Sequence, residues 1–87
     1  MLAHQIVSEH LAACCNIVPG ITSVYRWEGE LSEDQECLLI MKTGHSRYQQ
    51  LEQFIQNQHP YDVPELIALP VTKGLDEYLS WVIKETS

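Results

Sequence analysis

Apolar residues change their spacing repeatedly along this chain, and each change marks an element. Ile6, Val7, His10, Leu11 and Cys14 recur at helical intervals and predict an amphipathic helix over residues 2–13. From Cys14 to Glu28 β-branched and aromatic residues dominate, interrupted by Pro19-Gly20. Proline inside a strand belongs at an edge or a bulge, and glycine accepts the positive φ that a bulge often needs, so this stretch reads as one long, kinked strand. Polar turn chemistry at Glu28-Gly29-Glu30 and Ser32-Glu33-Asp34 precedes a return strand over residues 36–43, which closes a hairpin.

Ser46 and Gln49 have the spacing of a capping box. Tyr48, Leu51, Phe54 and Ile55 then stripe a helix that stops before Pro60. Pro60 and Pro64 force an extended path, because proline disfavours helical geometry in the residue before it. The run Leu66–Val71 reads as a buried strand, Gly74 breaks the chain, and Leu75, Tyr78, Leu79, Val82 and Ile83 mark a last helix. The expected order is α-β-β-α-β-α within one domain over residues 1–87.

The segment Cys37-Leu38-Leu39-Ile40-Met41 is apolar on both faces. The domain's own helices can cover one face. With 87 residues too few helices exist to cover the other, so a second subunit is the simplest cover.

Composition narrows the function. A charge of −7, with only five Lys and Arg, provides no basic stripe to neutralise phosphates and excludes a nucleic-acid binder. No apolar run approaches the ~20 residues of a membrane span, and the N-terminus lacks the features of a signal peptide. Three cysteines, Cys14, Cys15 and Cys37, form no disulfide framework, which points to reduced thiols in the cytoplasm. Cys14 and Cys15 resemble a metal clip, but on a strand they point to opposite faces and read more simply as small buried residues.

The densest polar chemistry lies in His59-Pro60-Tyr61-Asp62-Val63-Pro64-Glu65. His59 suits Cu(II) or Zn(II), yet a specific site needs three or four donors. Glu65, Cys14 and a neighbouring subunit are candidates for the rest; the alternative is a structural histidine at a helix end. Tyr61 and Trp27 either line a cleft or anchor an interface. The acidic residues Glu28, Glu30, Glu33, Asp34 and Glu36 read as a solvated hairpin tip, with weak cation attraction the alternative. His4 and His10 lack the spacing of a helical metal pair. A thiol–imidazole pair of Cys14 with His59 is the enzymatic alternative, and no orienting partner for it stands in the sequence.

Several of these segments, in this order, resemble the CutA divalent-cation tolerance family. They are Leu11-Ala12-Ala13-Cys14, the run Pro19–Gly29 around Val24-Tyr25-Arg26-Trp27, Lys42-Thr43, His59–Glu65, and Tyr78-Leu79-Ser80-Trp81. The resemblance implies a ferredoxin-like α+β fold, with an antiparallel sheet and helices on one face. It further implies a homotrimer similar in assembly to PII signalling proteins, a part in the response to metal ions, and no catalytic activity. Tyr25, Trp27, Lys42 and Tyr61 are then expected at a cleft or interface between subunits, with Cu(II) or another divalent cation at His59, Glu65 and Cys14. A non-catalytic structural or signalling trimer without direct metal binding is the alternative. Two departures accompany the likeness. The family's first strand is expected ahead of the first helix, where this chain has only Met1. Gln58 stands where bacterial members carry the first of two histidines.

Overall fold

The computed structural model describes residues 2–58 and 65–87. Helix α1 spans Leu2–Ser8, strand β1 Cys14–Trp27, strand β2 Glu30–Lys42, helix α2 Tyr48–Gln58 and helix α3 Asp76–Glu85; a 3-10 turn, His45–Arg47, leads into α2. The fold is α+β, a two-stranded antiparallel sheet with helices.

Helix α1 is shorter than its apolar spacing predicts. His10 adopts φ 61°, and the amides of His10 and Leu11 turn back to the carbonyls of Val7 and Ile6 at 3.0 Å each. This is a Schellman stop with histidine in the left-handed position, where glycine is usual. Its apolar closing contact is present, since Ile6 and Leu11 share one buried cluster with Ala12, Leu51 and Ile55. The His10 Nδ1 donates to the Glu85 carbonyl at 3.0 Å, which ties the stop to the end of α3.

The hairpin is longer and more regular than its polar residues suggest. Glu28 and Gly29 both have positive φ, 51° and 82°, the two-residue turn whose twist matches the strands it joins. Pairing begins at once with Trp27 opposite Glu30, so Ser32-Glu33-Asp34 lies inside β2 and not in a turn. Cross-strand backbone bonds need no apolar side chains where both faces of a ribbon reach water. The kink stands where Pro19-Gly20 placed it: register shifts between Val18 and Ile21, with Gly20 at φ 74°.

The capping box is not formed. Ser46 lies within the 3-10 turn, whose N-cap is Gly44 and carries no side-chain cap bond. Thr86 does related work from a distance. It is 1% exposed, its hydroxyl donates to the Val82 carbonyl at 2.8 Å and accepts the Gly44 amide at 3.3 Å, while Arg47 Nε donates to the Thr86 carbonyl at 2.7 Å. Thr86→Val keeps the shape and strands that amide, so a loss of about 1–2 kcal/mol in urea unfolding is expected. A loss under a few tenths would show that water replaces the hydroxyl.

The run Leu66–Val71 forms no strand. Among the described residues only β1 pairs with β2, and Ile67, Leu69 and Val71 are more than two-thirds exposed. Apolar, β-branched composition favours extended backbone, but a strand exists only with a partner for its hydrogen bonds.

Candidate functional site

Strand parity decides which candidate residues share a face. Side chains alternate, so Cys15, Ile17, Leu39 and Met41 form one face of the hairpin. Met41 packs on the buried cluster, which makes this the helix-covered face. Cys14, Asn16 and Val18 lie on the other face with Leu38, Ile40 and Lys42. The bulge adds one residue to β1 and none to β2, so beyond it the parity of β1 reverses. Ile21, Ser23, Tyr25 and Trp27 therefore join the uncovered face opposite Glu36, Asp34, Ser32 and Glu30. Four of the candidate residues, Cys14, Lys42, Tyr25 and Trp27, thus stand on one face of one ribbon.

They do not stand together. Thirteen residue steps separate Cys14 from Trp27, roughly 40 Å at strand rise, and the chain's longest dimension is 45 Å. At the near end Lys42 Nζ donates to the side-chain oxygen Oδ1 of Asn16 and reaches Cys14 Sγ, the latter at 3.9 Å. At the far end the Tyr25 hydroxyl donates to Asp34, and Trp27 is 47% exposed. Asn16 was not singled out from sequence, and Asp34 was read there only as part of the acidic hairpin tip; their contacts follow from register and bulge together.

The thiols differ from the small buried residues expected. Cys14 and Cys15 are half-buried and Cys37 is exposed, all three free. Cys15 has its pKa raised, first by burial and then by a neighbouring charge on Cys14, with the Lys42 ammonium opposing both. Glu65 is exposed. His59 and Tyr61 lie outside the described residues, as does most of the turn that carries them.

A cation fits poorly at the near end of the hairpin. Among the described residues no three His, Cys, Asp or Glu side chains converge to hold a metal ion, and the ammonium of Lys42 sits against Cys14. No helix of the described residues is long and apolar enough to cross a membrane. A groove between α1 and α2, lined by Glu9, Leu11, Arg47 and Phe54, contains none of the candidate residues.

Known proteins resemble this chain over nearly its whole length. A family model described as CutA1 divalent ion tolerance protein matches residues 1–85. The divalent-cation tolerance protein CutA of Thermus thermophilus is 51% identical over 85 residues, which cover 98% of this chain and 82% of that protein. The chloroplastic protein CutA of Arabidopsis thaliana is 55% identical over 85 residues, 98% of this chain but 47% of its own length. This chain therefore spans about half the length of its plant and mammalian relatives. Among solved structures, the Thermus thermophilus divalent cation tolerance protein superposes with a TM-score of 0.96 at 50% identity, covering 99% of this chain and 84% of that one. The PII-like protein CutA from a Nostoc species superposes with a TM-score of 0.93 at 36% identity, covering 99% and 83%. With a family model matched over residues 1–85 and relatives at this identity, the chain belongs to the CutA1 divalent ion tolerance family.

Proposed function

We propose that this protein is a homotrimeric, non-catalytic divalent-cation tolerance protein of the cytoplasm, which binds Cu(II) or another divalent cation at a cleft between subunits. One observation carries the reading. The uncovered face of the hairpin presents Leu38, Ile40 and Trp27 at 45–47% exposure and Tyr25 at 37%, in line with Cys14 and Lys42. Large apolar side chains on a long ribbon need a cover, and a set of site residues spread over roughly 40 Å converges only when other copies bring one ribbon's near end to another's far end. Family membership supports the metal response, and three free thiols suit a reducing compartment.

In this reading His59 and Glu65 supply the first donors, with Tyr61 beside them at the cleft, and the fixed φ of Pro60 and Pro64 restricts the turn that carries them. Cys14 joins only when Lys42 has turned away, because an ammonium and a cation repel. With Gln58 in place of a second imidazole, affinity is expected to be micromolar or weaker.

Titration calorimetry with Cu(II) and Zn(II) tests this against a trimer that binds no metal. That second reading is favoured by the Lys42 ammonium at Cys14. Saturable binding that His59→Ala weakens at least about tenfold, a change of ~1.4 kcal/mol, supports the cation site. Equal heats from both proteins would leave the trimer and remove the metal.

A further inference from the structure

We propose that Cys14, Lys42 and Asn16 form a modification site, in which Cys14 takes a short acyl group from a small thioester and passes it to Lys42 Nζ. The site needs no metal and stands apart from the cation reading.

Register makes the pair. Cys14 and Lys42 are direct cross-strand partners, and Asn16, two residues along β1, lies on the same uncovered face. Residues opposed across a ladder hold their Cβ atoms about 5 Å apart. One strand therefore presents a thiol and the other an amine at a separation that the backbone fixes. Lys42 Nζ stands 3.9 Å from Cys14 Sγ and also donates to Asn16 Oδ1. The Cys14 thiol donates to that same oxygen at 3.8 Å. One carboxamide oxygen thus gathers both groups, and being neutral it positions the amine without an ion pair to hold its proton. The other thiol and amines lack this arrangement. Cys37 is exposed, but strand parity puts it on the opposite face from Lys42. Lys73 and Lys84 are exposed and lie beyond the hairpin altogether.

The two groups divide the chemistry between them. Cysteine is strongly nucleophilic near neutral pH, whereas a lysine amine is ordinarily protonated there and attacks slowly from solution. In the first step Cys14 Sγ attacks the thioester carbonyl carbon. The bond from that carbon to the carrier sulfur breaks, and the carrier leaves as a thiol with the Cys14 proton. In the second step Lys42 Nζ, having released one proton to water, attacks the same carbon. A C–N bond forms, the C–Sγ bond breaks, and a proton from nitrogen restores the thiol. No oxidant or reductant is consumed, and the amide product is more stable than the thioester. An amine 3.9 Å from the sulfur lies close to the ~3–3.5 Å at which reacting atoms meet. Half-buried Cys14 admits a short acyl group, and a chain of net charge −7 repels a carrier rich in phosphates. Acylation neutralises Lys42 and leaves Cys14 free.

The test treats the whole chain with S-acetyl-N-acetylcysteamine, an uncharged acetyl thioester, and follows each residue by peptide mass spectrometry. Lys42 should acquire a hydroxylamine-stable acetyl group at least ~tenfold faster than Lys73 or Lys84. Cys14→Ser should bring Lys42 down to their rate. Lys42→Arg should leave a hydroxylamine-sensitive acetyl group on Cys14. Asn16 is exposed, and Asn16→Ala should slow transfer from Cys14 to Lys42 without slowing the loading of Cys14. A merely structural role for Asn16 would not split the two steps. The proposal is overturned if Lys42 in the parent chain is acetylated no faster than Lys73 and Lys84, or if Cys14→Ser leaves its rate unchanged. Thioester on Cys37 but none on Cys14 in Lys42→Arg would overturn it as well.

Discussion

Leu51→Ala is expected to lower Tm by about 10–25 °C. Leu51 is 2% exposed and belongs to the buried cluster that joins α1 to α2, with Ile6, Leu11, Ala12 and Ile55. Truncating a buried leucine removes its transfer free energy and leaves a cavity, together about 2–5 kcal/mol. In a domain of this size each kcal/mol moves Tm by roughly 4–8 °C, and few other buried side chains share the load. Among the described residues eight apolar side chains are buried, three of them alanine, so the core has little redundancy. A melt by circular dichroism decides the matter, with exposed Gln53→Ala as the control. A fall below about 5 °C for Leu51→Ala would show that the helices are held by contacts between copies rather than by this core.

The second large effect concerns assembly. Leu38→Glu is expected to convert a trimer of about 30 kDa, three chains of 10.0 kDa, into monomer. Leu38 is 47% exposed in the single chain, on the uncovered face beside Val18 and Ile40. If further copies cover that face, a carboxylate there must be desolvated without a partner, which costs several kcal/mol per subunit. Within the monomer the same change is mild, because the side chain already meets water. Light scattering should show the mass fall threefold while the helical spectrum persists. Parent protein that already runs at monomer mass at micromolar concentration would end the trimer reading. A Leu38→Glu protein that remains trimeric would move the interface off this face.

These two substitutions separate burial within the chain from burial between copies, a distinction that sequence pattern blurs. Leu51 stands in a helical stripe and Leu38 in a strand that is apolar on both faces. Nothing local tells which of the two faces of that strand is covered by the domain's own helix layer and which is left open. The hairpin's register supplies the answer for Leu38 through its parity with Lys42, and the cluster shared with Ile6 and Leu11 supplies it for Leu51.

Much was legible beforehand because it is local. The long β1, the bulge at Pro19-Gly20, the helical stripes of α2 and α3, and the break near Gly74 follow from period, proline and glycine, each set by the nearest few residues. Family membership was legible too, since it rests on several segments in order. The misplaced boundaries were places where a distant group overruled the local pattern. α1 stops at Ser8 because His10 turns left-handed and bonds to Glu85. The start of α2 is organised by Thr86 and Gly44, with no bond from a Ser46 cap. β2 begins at Glu30 because a ladder needs backbone partners and not apolar side chains.

Sequence alone could show that residues 66–71 want to be extended; whether they become a strand depends on a partner, which local pattern cannot supply. The same division holds for the candidate site. That Cys14, Tyr25, Trp27 and Lys42 are candidates could be read from residue type and family likeness. That all four lie on one face, with Lys42 against Cys14 and Tyr25 against Asp34, required the register and the single extra residue of the bulge. Spacing along a chain sets periodicity, but a one-residue shift in pairing moves every later side chain to the opposite face, and only the folded ladder sets that shift.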